Sequence, residues 1–343
     1  MKHFTFGRNN GMRVSQLALG TGNFGTGWGH GADIESSREI FEAFAAAGGT
    51  FIDTAQSYQG GEAEEALGTI LTGRRDDFSI ATKFAIGGRE GSGPLHTGNG
   101  RRAMVRSVEA SLTRLGTDYV DLLWVHFPDL ATPLDEIVAT FDHLARSGKV
   151  LYAGLSNFPA WMVSRAATLA DLRASIPIAA AQFEYSLAQR DADRELFPMV
   201  ETIGMGAALW GPLGGGLLTG KYRAGEAGRL QGLQTLIQTE SGPQKTAIVD
   251  AVLQAATDTG LSPAVVAVAW LIERAARSTT GVVPIIGPRT VEHLTAYLSA
   301  LDTELPPEVY NRLEAVSQID RGEPHAQISE RLELARGGAG NWR

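Results

Sequence analysis

Short apolar runs alternate with amphipathic segments of helical length from one end of the chain to the other, and this alternation strongly constrains the fold. It is typical of β/α units repeated around a parallel sheet. Strands are predicted at residues 17–20, 50–53, 78–83, 119–126, 150–156, 178–182, 206–210 and 281–286. Helices are predicted near residues 36–48, 62–72, 102–115, 134–147, 159–171, 191–203, 245–259, 262–276 and 290–300. These units predict an α/β fold, a (β/α)8 TIM barrel, whose functional residues lie where the strands end.

The two ends of the chain extend the predicted barrel without dividing it. Apolar segments at 4–6 and 12–14 flank an Asn-rich turn, which predicts a β-hairpin that caps the bottom of the barrel. We expect one domain over residues 1–343, because α/β barrels often exceed about 250 residues as a single unit. Its expected parts are the hairpin cap at about 3–15, the barrel at about 16–300, a C-terminal arm at about 301–343, and long mouth loops at 86–100 and 223–244.

Composition excludes several functional classes. The chain has no Cys, which rules out disulfides, thiolate metal sites and a Cys nucleophile. Its net charge of -8 argues against nucleic-acid or anionic-membrane partners. No apolar run reaches the roughly 18 residues of a membrane span, and the first residues lack the apolar core of a secretory signal. The cytoplasm is therefore the expected location, and the oligomeric state is left open.

Two glycine-rich segments match nucleotide-binding motifs only in part. Residues 20–25 follow GxGxxG after a predicted strand, and Asp53 ends the next strand, as in a Rossmann fold. The last glycine of that motif must open a helix, whereas here a loop continues to about Ser36. Residues 215–221 have Walker A spacing, but Tyr222 stands where a Ser or Thr must bind Mg²⁺. Both interpretations are rejected, and Lys221 remains a candidate phosphate ligand.

Asp53, Tyr58, Lys83 and His126 form the strongest candidate site. They lie at or just beyond the second, third and fourth predicted strands, so a barrel brings them to one mouth. Carbonyl reduction by hydride needs a proton at the developing alkoxide, and a phenol supplies it near neutral pH only if its pKa falls from about 10. Lys83, held by Asp53, would stabilise the phenolate of Tyr58, while His126 would orient the carbonyl oxygen.

Each of these four residues has a structural alternative when taken alone. An Asp that closes a strand is often a helix cap, and a Tyr in a loop often only packs. A buried Lys near a carboxylate is often a structural ion pair. Their joint placement at one mouth favours a catalytic site.

Several segments, taken in order, carry a family pattern: 51–55 (FIDTA), 58–61 (YQGG), 81–83 (ATK), 118–122 (DYVDL) with His126, and 154–158 (GLSNF). In order and spacing they resemble the aldo-keto reductase family, in the motif style of the branch that includes potassium-channel β subunits. The resemblance runs from about residue 4 to about residue 300. It implies a barrel oxidoreductase and places the family's catalytic tetrad on Asp53, Tyr58, Lys83 and His126.

The resemblance also implies NADPH, with NADH not excluded, bound across the barrel mouth without a Rossmann fold. Ser156, Asn157 and Gln182 match the residues that hold the nicotinamide carboxamide, and Trp210 matches the ring that stacks on the nicotinamide. For Ser156 and Asn157 the alternative is a cap of the next helix. The other positions that the resemblance assigns to the cofactor are Gly20, Thr21, Gly22, Asp53, Gly211, Pro212, Leu213, Gly214, Lys221, Gly287, Arg289 and His293.

The phosphate and adenosine parts of this pattern are only partly retained. Residues 211–216 resemble a pyrophosphate loop, whose glycines let backbone N–H groups approach the phosphates. Arg289, at the start of the last barrel helix, suits a 2′-phosphate, so NADPH is preferred over NADH. His293 stands where an Arg or Gln is usual, and Ala296 and Tyr297 replace a Glu-Asn pair. These departures leave the adenine contacts undefined.

The expected substrate is an aldehyde or ketone, including sugar-derived and secondary-metabolite carbonyls. Its expected pocket is formed by Trp28, Tyr58, Phe84, His126 and Phe127. Because the tetrad is reversible, an NAD(P)-dependent alcohol or sugar dehydrogenase is an open alternative. A cofactor-binding regulatory subunit is another, since the family includes channel β subunits. No metal site is expected, because the seven His show no HxH or HxxxH pairing.

Overall fold

The computed structural model describes residues 1–86, 93–224 and 238–338. Parts of the predicted mouth loops 86–100 and 223–244, and the end of the predicted arm, lie outside the described residues. The chain begins with two antiparallel strands, β1 (His3–Thr5) and β2 (Arg13–Ser15). The strands that follow are β3 (Ala18–Gly20), β4 (Phe51–Asp53), β5 (Ser79–Phe84), β6 (Val120–Val125), β7 (Val150–Ser156), β8 (Ile178–Glu184), β9 (Gly206–Trp210) and β10 (Val282–Ile286).

Strands β3 to β10 form a closed parallel barrel within the described part of the chain. Each strand pairs with the next in sequence, and β10 pairs with both β9 and β3, which closes the sheet. The pairing sets Gly20 beside Asp53, and Lys83 beside Trp124. The strands are almost entirely buried, as expected when helices cover a parallel barrel. The predicted (β/α)8 barrel is confirmed.

Helices surround the barrel, and polar caps define where several of them begin. Asp33 accepts a hydrogen bond from the Ser36 amide at 2.9 Å and starts the first helix, while Ser262 and Thr290 cap later ones. The helices are α1 (Ile34–Ala46), α2 (Glu62–Ile70), α3 (Arg101–Leu115), α4 (Leu134–Arg146), α5 (Ala160–Leu172), α6 (Leu196–Ile203), α7 (Pro243–Thr259), α8 (Pro263–Ala276), α9 (Val291–Ser299), α10 (Pro307–Ser317) and α11 (His325–Ala335).

The predicted helix at 191–203 is divided in the structure. A 3-10 turn covers Asp191–Asp193, and α6 begins only at Leu196. Pro198 explains the division, because a proline inside a continuous helix removes a backbone hydrogen bond and clashes with the preceding turn, whereas the first turn tolerates it. The prediction of one long helix here was wrong.

Residues after 300 form two helices that sequence analysis did not predict. Helix α10 packs against α7 and buries Val309, Tyr310 and Leu313. Helix α11 has no buried residue among those described. The arm predicted for residues 301–343 therefore contains helical structure in its described part.

Apolar side chains fill the interior of the barrel, and side chains of the hairpin belong to the same cluster. Phe6, Met12 and Val14 are buried in the same cluster as the inward-facing Phe51 and Trp124, and the Phe6 and Phe51 rings lie 5.4 Å apart. The hairpin thus plugs the bottom of the barrel, as predicted. A second apolar layer fills the space between strands and helices.

Gly154 makes room for the largest side chain inside the barrel. A Cβ atom added at this glycine would lie 2.4 Å from the indole of Trp124. Trp124 is fully buried just below the mouth, so Gly154 indirectly positions a residue of the site described below.

Among the described residues, no single helix is long and apolar enough to cross a membrane; α7 and α8 meet those criteria only as a pair bent by 100°.

Candidate active site

The four residues of the predicted tetrad meet at the C-terminal mouth of the barrel. Asp53 ends β4, Lys83 lies in β5, His126 directly follows β6, and Tyr58 begins a short turn after β4. Lys83 Nζ donates to a carboxylate oxygen of Asp53 and, at 3.1 Å, to the hydroxyl of Tyr58. The rings of Tyr58 and His126 meet edge to face with centroids 5.9 Å apart. The barrel register therefore brings together residues that are far apart in sequence.

The Lys83–Asp53 ion pair is buried, and Lys83 keeps its positive charge. Lys83 is 1% exposed and Asp53 is 2% exposed. Burial acts to lower the pKa of the Lys83 ammonium, but Asp53 and Tyr58 outweigh it and raise that pKa above its ordinary value. A third hydrogen bond, to the carbonyl oxygen of Thr54 at 2.8 Å, completes the set of lysine donors. An ammonium group is thus fixed beside the phenol.

The second carboxylate oxygen of Asp53 is held by two residues from across the barrel. Trp124 Nε1 donates to it at 3.1 Å, and Gln182 Nε2 donates to it at 3.0 Å. Sequence analysis did not select Trp124, and it expected Gln182 to bind only the nicotinamide carboxamide. The apolar strand context of Trp124 gave no signal that its indole N–H orients a carboxylate.

His126 is a neutral imidazole at the edge of this group. It is 9% exposed, and burial, together with the nearby charge of Lys83, lowers its pKa well below the ordinary value. The ring stacks on Phe127 with centroids 5.0 Å apart, and the backbone amide donates to Phe84. The histidine is therefore fixed in position and uncharged near neutral pH.

Ser156, Asn157 and Trp210 form a hydrogen-bonded cluster beside the tetrad. Asn157 has a left-handed backbone (φ 60°) and donates to Ser156 Oγ and to the His126 carbonyl oxygen, each at 3.0 Å. The indole N–H of Trp210 donates to Asn157 Oδ1 at 3.0 Å. The alternative role as caps is excluded, because α5 is capped at Pro159 without a side-chain bond.

The glycine-rich segment after β9 forms a tight turn. Gly211 and Gly214 have positive φ, and Pro212 and Leu213 lie between them. A 3-10 turn begins at Gly214. The side chain of Lys221 folds back over this turn, since a Cβ at Gly216 would lie 2.7 Å from its Cε. Lys221 begins a short 3-10 turn rather than an α-helix, so the rejection of a Walker A loop stands.

Gly20, Thr21 and Gly22 line the start of the loop beside Tyr58. The Thr21 amide donates to the carbonyl oxygen of Asp53 at 3.0 Å, and a Cβ at Gly22 would lie 3.8 Å from the Tyr58 ring. The first helix begins only at Ile34, which excludes the Rossmann arrangement.

Gly287 and Arg289 lie where this loop meets the last barrel helix. Asn23 Nδ2 donates to the carbonyl oxygen of Gly287 at 3.0 Å and joins the two loops; sequence analysis did not identify Asn23 as a link. Arg289 Nε is buried and has no hydrogen-bond partner among the described residues. Thr290 Oγ1 accepts from the amide of His293 at 3.2 Å, and the His293 side chain is exposed.

Of the side chains predicted to form the pocket wall, Trp28 and Phe127 lie beside the tetrad, whereas Phe84 does not. Trp28 is 40% exposed and its ring lies 6.1 Å from that of Tyr58. Phe84 is 1% exposed and belongs to the outer apolar layer, because Lys83 beside it points inward and successive strand residues face opposite ways. Phe84 therefore does not face the mouth.

A cavity of about 600 Å³ lies at the opposite end of the barrel, between the hairpin and the end of α8. Phe4, Arg8 and Ala275 are among its lining residues, and none of the tetrad is. In barrels of this kind the chemistry occurs at the C-terminal ends of the strands, so we assign the reaction to the mouth.

A charged Lys–Asp pair bonded to a phenol, with a neutral histidine alongside, is suited to moving a proton on and off an alcohol oxygen. Fold and site thus define a barrel oxidoreductase acting on C=O and CH–OH groups. The model of the aldo/keto reductase family matches residues 16–318, and the chain belongs to this family.

Similar proteins include a norsolorinic acid reductase of Aspergillus flavus, 35% identical over 332 residues, which cover 94% of this chain and 82% of that protein. An aryl-alcohol dehydrogenase of Pestalotiopsis microspora is 34% identical over 333 residues, covering 94% and 84% respectively. Another, from Phanerodontia chrysosporium, whose name specifies NADP(+), is 33% identical over 338 residues, covering 92% and 86%. These names are those of oxidoreductases.

Proposed function

We propose that this protein reduces aromatic aldehydes or ketones to alcohols with NADPH, with Tyr58 as the general acid. The observation that carries the proposal is the position of Lys83 Nζ, which bonds both the Asp53 carboxylate and the Tyr58 hydroxyl. An ammonium only donates hydrogen bonds, so the Tyr58 oxygen accepts from Lys83 and its own proton is directed elsewhere. When that proton passes to the substrate oxygen, the adjacent ammonium stabilises the phenolate left behind.

His126 orients the substrate in this proposal. A neutral imidazole has one N–H donor, and burial keeps His126 neutral by lowering its pKa. We place the substrate oxygen between Tyr58 and His126, whose rings meet edge to face at the mouth. His126 then polarises the carbonyl without competing with Tyr58 as the acid.

The described residues fit NADPH at both of its ends. Ser156 and Asn157 offer a hydroxyl and an amide to the nicotinamide carboxamide, and Trp210 is held beside them by its indole N–H. At the other end, the buried Nε of Arg289 lacks a protein partner among the described residues, which fits a guanidinium that binds a ligand phosphate. When bound, the nicotinamide supplies the hydride.

A row of four rings supports an aromatic substrate. Trp28, Tyr58, His126 and Phe127 follow one another along the mouth with centroid separations of 6.1, 5.9 and 5.0 Å. A planar substrate can stack on such rings or meet their edges, and each aromatic pair contributes about 0.5–1.5 kcal/mol beyond its buried area. Relatives named aryl-alcohol dehydrogenases are consistent with this substrate class.

Oxidation of aromatic alcohols is the second candidate, favoured by the names of those two relatives. In that direction the Tyr58 phenolate accepts the alcohol proton, and Lys83 stabilises the phenolate before the transfer rather than after it. The same residues serve both directions, so the direction used by the cell depends on the concentrations of substrates and cofactors.

The proposal is tested by following nicotinamide absorbance with benzaldehyde and benzyl alcohol as probes and both nucleotides as cofactors. Tyr58→Phe is expected to lower kcat/KM by about 10²–10⁴-fold, because it removes only the proton donor. Binding of NADPH, followed by fluorescence titration, is expected to persist. Tyr119→Phe is the matched control, since that hydroxyl bonds Asp76 away from the mouth. Equal turnover by wild type and Tyr58→Phe would exclude the proposed role.

A further inference from the structure

We propose that Gln59 is a positioning residue that fixes Trp28 beside Tyr58 and thereby determines selectivity for aromatic over small aliphatic carbonyls. The proposal rests on the function proposed above. It concerns the loop that contains Trp28, residues 21–32, which we call the Trp28 loop.

The backbone of Gln59 is held in a costly conformation directly after the catalytic tyrosine. Its φ is 53°, in the left-handed region that favours glycine, and its side chain is 1% exposed. A residue other than glycine persists in this region only when its surroundings hold it there against a steric cost. Such strain next to Tyr58 indicates that the glutamine side chain has a role that glycine cannot fill.

Both ends of the Gln59 amide are bonded to the Trp28 loop. Its oxygen accepts from the Trp28 amide at 2.9 Å, and its nitrogen donates to the carbonyl oxygen of Gly22 at 2.9 Å. One side chain therefore spans the loop from its beginning, beside the Tyr58 ring, to the residue that carries the exposed indole. Because Gln59 follows Tyr58 directly, its two hydrogen bonds fix the position of Trp28 relative to the reacting phenol.

A second contact holds the residues just before Trp28. The carboxylate of Glu62, in the first turn of α2, accepts from the amides of Thr26 at 2.7 Å and Gly27 at 3.1 Å. Gly27 lies so close that an added Cβ would be 2.3 Å from the carbonyl oxygen of Gln59. The loop is therefore packed directly on the segment that carries Tyr58.

Within the loop, the Gly29 amide donates to the carbonyl oxygen of Thr26 at 2.8 Å and closes a turn around Trp28, while the other backbone bonds lie at the base of the loop. Gly25 donates to the carbonyl oxygen of Ala32 at 2.8 Å, Ala32 donates to that of Asn23 at 2.7 Å, and Asn23 is tied to Gly287. These bonds close the loop but do not determine where the indole of Trp28 stands. Among the described residues, the hydrogen bonds that reach residues 26–28 from outside the loop come from Gln59 and Glu62, so we assign the position of Trp28 to Gln59, with support from Glu62.

A positioning role and a purely structural role make different predictions for Gln59→Gly. Glycine adopts a φ of 53° without steric cost, so this variant relieves the strained backbone while removing both amide bonds. The fold is expected to be retained, as checked by the melting temperature. A defect in selectivity without a loss of stability is what positioning predicts.

The kinetic test compares kcat/KM for benzaldehyde with that for propanal in wild type, Gln59→Gly, Trp28→Ala and the double variant. Gln59→Gly is expected to lower the benzaldehyde-to-propanal ratio about fivefold, mainly through a higher KM for benzaldehyde, as expected for the loss of one aromatic contact. Because Gln59 acts through Trp28, the double variant is expected to resemble Trp28→Ala. Additive losses, or an unchanged ratio in Gln59→Gly, would overturn the proposal.

The second test does not depend on turnover. Hydrogen exchange of residues 24–30 is expected to quicken in Gln59→Gly, because the Trp28 amide loses its acceptor. Gln56→Ala is the matched control: Gln56 is also a buried glutamine at the mouth, but it bonds the carbonyl oxygen of Ile86 at 2.8 Å, and exchange of residues 24–30 should not change. Unaltered exchange in Gln59→Gly refutes the positioning role. A wild type inactive on every carbonyl and alcohol refutes only the proposed function.

Discussion

Lys83 combines two tasks that mutation can separate. Inside the barrel it neutralises the buried carboxylate of Asp53, and at the mouth it bonds the hydroxyl of Tyr58. The first task concerns stability, because an unpaired buried carboxylate is costly, and the second concerns the reaction. Both stability and activity must therefore be measured for each substitution of Lys83.

Lys83→Met is expected to lower kcat/KM by at least about 10²-fold and the free energy of unfolding by about 3–5 kcal/mol. Because the pKa of Lys83 is raised in the folded chain, its stabilising charge is present below the unfolded value of 10.5 and is lost only as the pH rises through the folded value. The stability loss should therefore be seen throughout the neutral range. Urea unfolding and steady-state kinetics measure the two effects.

The double variant Asp53→Asn, Lys83→Met serves as the control for this separation. It removes the unpaired carboxylate along with the ammonium, so stability should largely return while activity does not. Recovery of activity in the double variant would show that Lys83 serves only the fold.

Arg289→Ala tests the cofactor preference at the other end of the mouth. If its buried Nε reaches a 2′-phosphate, the variant should weaken NADPH binding about tenfold or more and leave NADH binding almost unchanged. Fluorescence titration with each nucleotide measures the two dissociation constants. Equal weakening of both would place Arg289 outside the 2′-phosphate site.

At the scale of elements, a buried polar network joins the segment after β8 to α10. Arg190 is 5% exposed and donates to Asp193 at 2.6 Å and to Glu314 at 2.8 Å, while Tyr185 donates to Asp193 at 2.9 Å. This network fixes the 3-10 turn that precedes α6 and attaches the arm helix to the barrel. A further hydrogen bond from Arg190 to Ser317 Oγ at 2.8 Å adds to this attachment.

Arg190→Met is expected to destabilise the fold by about 3–5 kcal/mol, because it leaves the buried carboxylate of Asp193 without its closest cation. Arg194→Met is the matched control from the same turn, since Arg194 and its partner Asp191 are largely exposed, and it should cost about 0–1 kcal/mol. Urea unfolding, followed by tryptophan fluorescence, measures the free energy of unfolding of both variants. Similar losses for both arginines would contradict a special role for the buried network.

At the scale of the whole molecule, the bottom of the barrel serves stability and the mouth serves the reaction. The hairpin closes the bottom through Phe6, while the tetrad and the Trp28 loop occupy the mouth. Substitutions at the bottom should therefore change stability without changing the reaction.

Phe6→Ala is expected to lower the free energy of unfolding by about 3–5 kcal/mol, because it empties a fully buried site, while kcat/KM per folded molecule is retained. Trp161→Ala is the aromatic control; Trp161 is 66% exposed, and its loss should stay within about 0.5 kcal/mol. Thermal unfolding and kinetics on the same samples provide both values. A catalytic defect in Phe6→Ala would show that the two ends are coupled.

The barrel and the meeting of the tetrad at its mouth could be predicted from the sequence because both depend on strand order. Alternating apolar segments predict the strands, and polar residues at strand ends predict what meets at the mouth. Phe84 was wrongly predicted to face the pocket: it follows Lys83 in the strand, so it points to the opposite side, into the outer apolar layer. Gln59, Trp124 and Asn23 were missed because their roles depend on long-range hydrogen bonds that no local pattern records. Helix α10 was missed because its order depends on packing against α7 and on Arg190.

Closure of the barrel also has a consequence for synthesis on the ribosome. Asn23 and Gly287, which join the loops after the first and last barrel strands, are 264 residues apart. At typical translation rates their synthesis is separated by on the order of ten to fifty seconds. Through that interval β3 has no partner on one side, because β10 has not yet been made. The nascent sheet therefore presents an unpaired edge to chaperones and to neighbouring chains until the last strand emerges.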